Sequence, residues 1–170
     1  MRSSFRLVID SQPDMHVVGE ATTGPPALQT VRHPIPDVVL MDIRMPELDG
    51  LEVTRQLMDD PRTSHCKVIV VTTFDLDEYV SAALALRVCG FLLKRSGPAL
   101  LTEAVRAAVN GDMLASPQIT VRVLRHAHGT LGRDSETGAP GLSTRGKVRN
   151  RVGIAAWAWE HGIAQPSEYN

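Results

Sequence analysis

Apolar and polar positions fall in alternating blocks along the chain. Short β-branched runs recur at 16–21 (HVVGEA), 37–42 (DVVLMD), 67–73 (KVIVVTT) and 89–93 (CGFLL). These runs are continuous rather than alternating, which predicts strands covered on both faces. Helical patterns lie between them, at 26–33, 50–60, 77–87 and 97–111. In the second, Leu51, Thr54, Arg55 and Met58 fall at helical spacing, and Asn110-Gly111 is a good stop for the last. Strands alternating with helices of this length predict right-handed βαβ units and a parallel sheet.

The pattern changes after His128. Residues 128–146 are rich in Gly, Ser and Thr, have no apolar period, and read as a flexible linker. Residues 147–164 (KVRNRVGIAAWAWEHGIA) are predicted as a lone helix with Val148, Val152, Ala156, Trp159 and Ile163 on one face. Trp157 falls about 200° from Trp159, so this helix would have two surfaces to cover.

Composition narrows the possibilities without deciding them. The chain has 170 residues, enough for one domain and an appendage. Its net charge of −1 points to neither a nucleic-acid binder nor a polybasic membrane binder. Aromatics are 4% of the chain, so the core must be mainly Val, Leu, Ile and Ala. Cys66 and Cys89 lack metal-ligand spacing and read as buried reduced thiols. No signal peptide and no bilayer-spanning apolar run is expected, which makes the cytoplasm the default location.

The candidate chemistry lies where strands end. The run Val38–Met41 stops abruptly in Asp42, while Thr72 ends the next run and Lys94 the one after. In an open parallel sheet, ligands bind at the carboxyl ends of the strands. A carboxylate, a hydroxyl and an ammonium on one rim suit phosphoryl transfer to a side chain. The carboxylate is the nucleophile, and the other two hold phosphoryl oxygens. Met45-Pro46 and Gly50 would shape the loop over that site.

At this point the sequence resembles the bacterial two-component response regulators of the NarL/LuxR type. The carrying segments are PDMHVVGEA (13–21), PDVVLMDIRMPELDGLEVTR (36–55), VIVVTTFDLDEYVSAAL (68–84) and GFLLK (90–94). The resemblance implies a flavodoxin-like, doubly wound receiver fold over residues 1–127. It makes Asp42 the phosphoacceptor, charged from a sensor histidine kinase, Thr72 the switch hydroxyl and Lys94 the phosphate-binding lysine. Phe91 takes the place of the switch aromatic. Mg²⁺ would be held by Asp42, by the backbone carbonyl of Arg44 and by acids from the first strand. A homodimer is also compatible with the family.

Two departures stand out. The family opens with a central strand ending in two acids. Here FRLVID (5–10), with Asp10, lies too close to HVVGEA for the crossover that parallel strands need. Residues 3–15 instead resemble the end of the first helix and its exit loop, so the first strand and its acids are expected to be missing. That would weaken the Mg²⁺ site, with Glu47 a poor substitute, and leave two strands without a neighbour. Residues 141–145 and 147–166 resemble the opening and last helix of the family's helix-turn-helix domain, with the recognition helix absent. No DNA-binding residue is therefore retained and specific DNA binding is not expected; Arg145, Lys147, Arg149 and Arg151 read as a solvated helix start. Arg87 stands where the family has Gly in a left-handed position.

These features give an impaired receiver, a signalling protein rather than an enzyme. The alternatives are a non-phosphorylated interaction module and an inactive gene remnant. A haloacid-dehalogenase-type phosphatase also uses a strand-end Asp, but needs a second acid where this chain has Arg44.

Overall fold

The computed structural model describes residues 2–73, 77–121 and 150–154. Among the described residues the elements run α1 (Arg2–Asp10), β1 (Met15–Glu20), α2 (Gly24–Arg32), β2 (Val38–Met41), α3 (Gly50–Asp59), β3 (Lys67–Thr72), α4 (Asp77–Ala85), β4 (Gly90–Leu93), α5 (Pro98–Asn110), β5 (Leu114–Ala115) and β6 (Asn150–Ile154). The sheet is all parallel, in the order β1-β6-β2-β3-β4-β5. Every expected strand forms within a residue or two, and so does each of the four helices expected between residues 26 and 111. Residues Arg2–Asp10 are helical, as the resemblance to a first-helix end implies.

Continuous apolar runs form this sheet because both faces are covered, and successive residues serve opposite faces. Val38 and Leu40 pack with Ile69, Val71 and Leu92 against Phe5 and Ile9 of α1 and Leu101 and Val105 of α5. Val39 and Met41 pack with Val68, Val70, Phe91 and Leu93 against Ala27 and Val31 of α2, Val53 and Leu57 of α3 and Val80 of α4. At ~1.5–3 kcal/mol per buried side chain, these two layers hold the sheet.

The C-terminal expectation needs correction. Residues 150–154, predicted within a helix, form a parallel strand inserted between β1 and β2. It takes the central position expected to be empty, the place of the first strand in a 2-1-3-4-5 order. The sheet therefore draws on chain beyond the 1–127 boundary. Asn150–Ile154 is a short β-branched stretch that fits either period, and Gly153 costs a helix about 1 kcal/mol. The need of two flanking strands for partners decides the outcome. The linker 128–146, the rest of the expected helix and both tryptophans lie outside the described residues.

Asp10, tempting as a site acid, serves the scaffold. Its Oδ1 accepts the Val17 N–H at 2.8 Å, tying α1 to β1 at the sheet edge. Arg6 reaches Glu20 at 2.6 Å from the same helix. Arg106 of α5 bonds Asp14 at 3.0 Å, joining α5 to the loop after α1. Gly111 caps α5 at φ 88°, and Arg87 takes the left-handed position at φ 56°, a cost of about 1–2 kcal/mol for a non-glycine residue. Cys66 is buried but Cys89 only half-buried, and neither is in a disulfide. No helix among the described residues is long and apolar enough to cross a membrane.

Val152→Pro is expected to remove the cooperative thermal transition or lower stability by about 3 kcal/mol or more, since proline cannot donate to an inner strand's ladder. A melt unchanged from the parent chain would show that β6 is dispensable.

Candidate functional site

Asp42, Thr72 and Lys94 come together at the carboxyl rim of the sheet. Asp42 follows directly on β2, Thr72 closes β3 and Lys94 follows directly on β4. Met41 is in register with Val70, and Thr72 with Leu93, so the three lie within a residue or two of one level. The Lys94 N–H donates to the Thr72 carbonyl at 2.8 Å, which locks the ends of β3 and β4 together. All three side chains are buried: Asp42 is 4% exposed, Lys94 7% and Thr72 0%.

The Lys94 ammonium donates directly to Asp42 Oδ2. The backbone N–H groups of Ile43 and Arg44 also donate to the Asp42 carboxylate. Burial nevertheless pushes the Asp42 carboxyl above its ordinary value, against the pull of Lys94 and the two amides. Burial likewise pushes the Lys94 ammonium below its ordinary value, against the pull of Asp42. Each charge is tolerated in this dry position because the other is there.

The loop after β2 is held by its own backbone. Gly50 N–H donates to the Ile43 carbonyl at 2.8 Å. A Cβ on Gly50 would lie 1.8 Å from the Asp42 carbonyl oxygen, so only glycine lets α3 start this close to the acid. Asp49 caps α3 by accepting the Glu52 N–H at 2.9 Å. Glu47, at φ 70°, centres a γ-turn closed by Leu48 N–H on the Pro46 carbonyl at 2.8 Å.

Phe91 is buried in the core layer that contains Val80 and Ala83 of α4, three residues before Lys94. Arg44 has an exposed side chain, and it is its N–H that engages Asp42. Those two amides were not foreseen, although a tight turn straight after a strand-end acid is the signal that would have pointed to them. The donor set does not fit Mg²⁺. No three His, Cys, Asp or Glu residues converge among the described residues. The strand beside β2, Asn150–Ile154, carries no acid, and Asp42 is already paired. Mg²⁺ takes hard oxygen ligands in octahedral array.

The profile of the response regulator receiver domain matches residues 1–106. The chain belongs to the response regulator receiver family. Its relatives are NarL/LuxR-type regulators. The uncharacterized transcriptional regulatory protein YxjL of Bacillus subtilis is 39% identical over 67% of this chain and 51% of its own length. The transcriptional regulatory protein DesR of the same species is 36% identical over 76% of this chain and 63% of its own. The chain thus spans about half to two-thirds of the curated relatives it matches. Among solved structures, a LuxR-family two-component response regulator from Aurantimonas sp. SI85-9A1 superposes with TM-score 0.69 at 27% identity, covering 75% of this chain and 89% of that one. The receiver fold is therefore shared, with β6 in the central position.

Two substitutions test the receiver's rim. Gly50→Ala is expected to cost about 3 kcal/mol, the upper end of overpacking, in urea unfolding. Lys94→Met is expected to cost a similar ~3 kcal/mol near neutral pH by stranding a buried carboxylate. That second cost should shrink in acid. With its folded-state pKa raised, Asp42 contributes stability that is fully present below its unfolded value of 3.8 and lost as pH rises through the folded value. An equal cost for Lys94→Met at about pH 4 and about pH 7 would contradict the pairing.

Proposed function

We propose that the chain acts as a receiver in two-component phosphorelay signalling, accepting a phosphoryl group on Asp42 from a sensor histidine kinase to control transcription. An Asp42 oxygen attacks the phosphorus of a phosphohistidine. The new O–P bond forms as the P–N bond breaks, and the electron pair returns to the imidazole nitrogen. The Lys94 ammonium then pairs with a phosphoryl oxygen in place of the free carboxylate. The Thr72 hydroxyl donates to a second oxygen, and Phe91 repacks with that movement. The Ile43 and Arg44 amides keep the acyl phosphate aligned. The protein is a signalling component of the cytoplasm rather than an enzyme, and sequence-selective DNA binding is not part of this activity.

One observation carries the reading: the direct Asp42–Lys94 contact at the carboxyl rim, one residue beyond the register pair Thr72–Leu93. The membership of a receiver family supports it. Transfer should be impaired, because the strand flanking β2 brings no second carboxylate to the rim. That same feature favours a second reading, a non-phosphorylated interaction module in which Lys94 and two amides permanently neutralise Asp42.

Labelling with a small-molecule phosphodonor separates the two. Slow, sub-stoichiometric acyl phosphate is expected, all of it on Asp42 and none in Asp42→Asn. Label that persists in Asp42→Asn would refute the assignment of the acceptor. A folded parent chain that takes no label would leave the interaction module.

A further inference from the structure

The central strand reaches its place from far along the sequence. Between the last described residue of the receiver body, Val121, and Asn150 the connection is roughly 28 residues, which can extend to on the order of 90 Å. From β5 the chain must pass β4, β3 and β2 to reach the slot, about 19 Å at the usual strand spacing. The connection is several times longer than its own fold requires. It therefore places no limit on which copy of the chain supplies the strand.

What the slot demands is local. Met15, His16, Val17, Gly19 and Glu20 of β1 pair with successive residues of β6, and Val38 and Val39 of β2 pair with Val152 and Gly153. Unfilled, the slot would leave the facing backbone groups of β1 and β2 without partners beside Met15, Val17, Val38 and Leu40 of the core. During synthesis the acceptor strands emerge before the donor, so an open slot meets donors from other copies.

The geometry points to a strand-exchanged dimer of this chain: the slot between β1 and β2 accepts Asn150–Ile154 from a second copy with the same register as from its own. The contacts are identical in the two arrangements, so only the tether distinguishes them. A connection of this kind gives the chain's own strand an effective concentration on the order of 1 mM. The monomer therefore dominates in dilute solution, and exchange grows as protein concentration approaches that value or when chains refold together. Each Asp42 rim in the dimer then borders a strand of the other copy.

The test refolds the full chain from denaturant at about 10 µM and at about 1 mM, followed by dilution and sizing by light scattering. The dimer share should rise at least tenfold, roughly, and persist on dilution until the protein is unfolded again. His16 and Arg151 are register neighbours, so a His16→Cys/Arg151→Cys chain, oxidised, should give a covalent dimer from the dimer fraction and an internal link from the monomer. Monomer at both concentrations, or a dimer whose link stays internal, overturns the inference. A second measurement does not depend on cross-linking. A synthetic peptide of residues 147–156, at about 1 mM, should restore a cooperative melt to the Val152→Pro chain, and a scrambled peptide should not. Failure of the peptide to restore it overturns the inference as well.

Discussion

An inner strand of a parallel sheet must be paired on both sides, and this constraint governs the whole molecule. β1 and β2 do not lie side by side here; each pairs with β6 between them. A vacancy between them would leave two rows of backbone donors and acceptors in a dry core, each unmet group costing about as much as a lost buried hydrogen bond. Asn150–Ile154 fills the vacancy. The strand is short and its pairing with β2 covers only Val38 and Val39, yet those residues begin the run that delivers Asp42. The position of the site acid thus depends on chain more than a hundred residues away.

The rim itself is a compromise between burial and charge. Asp42 and Lys94 are almost fully removed from water, a cost that their contact opposes, with a smaller contribution from the Arg44 and Ile43 amides. The glycine at position 50 is what lets the following helix close over this arrangement without prising it open. In a pair held so tightly, the Lys94 ammonium is the group that could exchange the carboxylate for another group of negative charge. The pair is also self-sufficient, which is why the same geometry supports both a phosphoacceptor and a permanently neutralised module.

Most of this was legible in the sequence where a pattern was long or chemically distinctive. The four expected strands announced themselves by β-branched runs, and the helices by their period and by Asn110-Gly111. Asp42, Thr72 and Lys94 could be placed together because each ends such a run. The left-handed residue at Arg87 was foreseen only through the resemblance, because it stands where the family has Gly. β6 was not, because NRVGI offers too few residues to separate a strand period from a helical one, and its partners are remote in sequence. Its identity as a strand is fixed by the slot and not by its own composition. β5, with two residues, is below the length at which any pattern exists. The amides at Ile43 and Arg44 belong to the backbone, whose direction no side chain records.

The same dependence couples the acid's environment to the slot. Val38 and Leu40 of β2 share their core layer with Met15 and Val17 of β1 on the far side of β6, so loss of the inner strand would part the two strands that carry that layer. β2 would then be held mainly by β3, through the pairs Val38–Lys67 to Met41–Val70. Water admitted beside β2 would weaken the very condition that raises the Asp42 carboxyl and lowers the Lys94 ammonium, namely their burial. Contacts of this sequence separation are slow to form, because the loop-closure entropy must be met first. Occupancy of the central strand position and the protonation chemistry of Asp42 are therefore linked quantities, and whatever fills the slot also sets how dry, and how tightly paired, the acid can be.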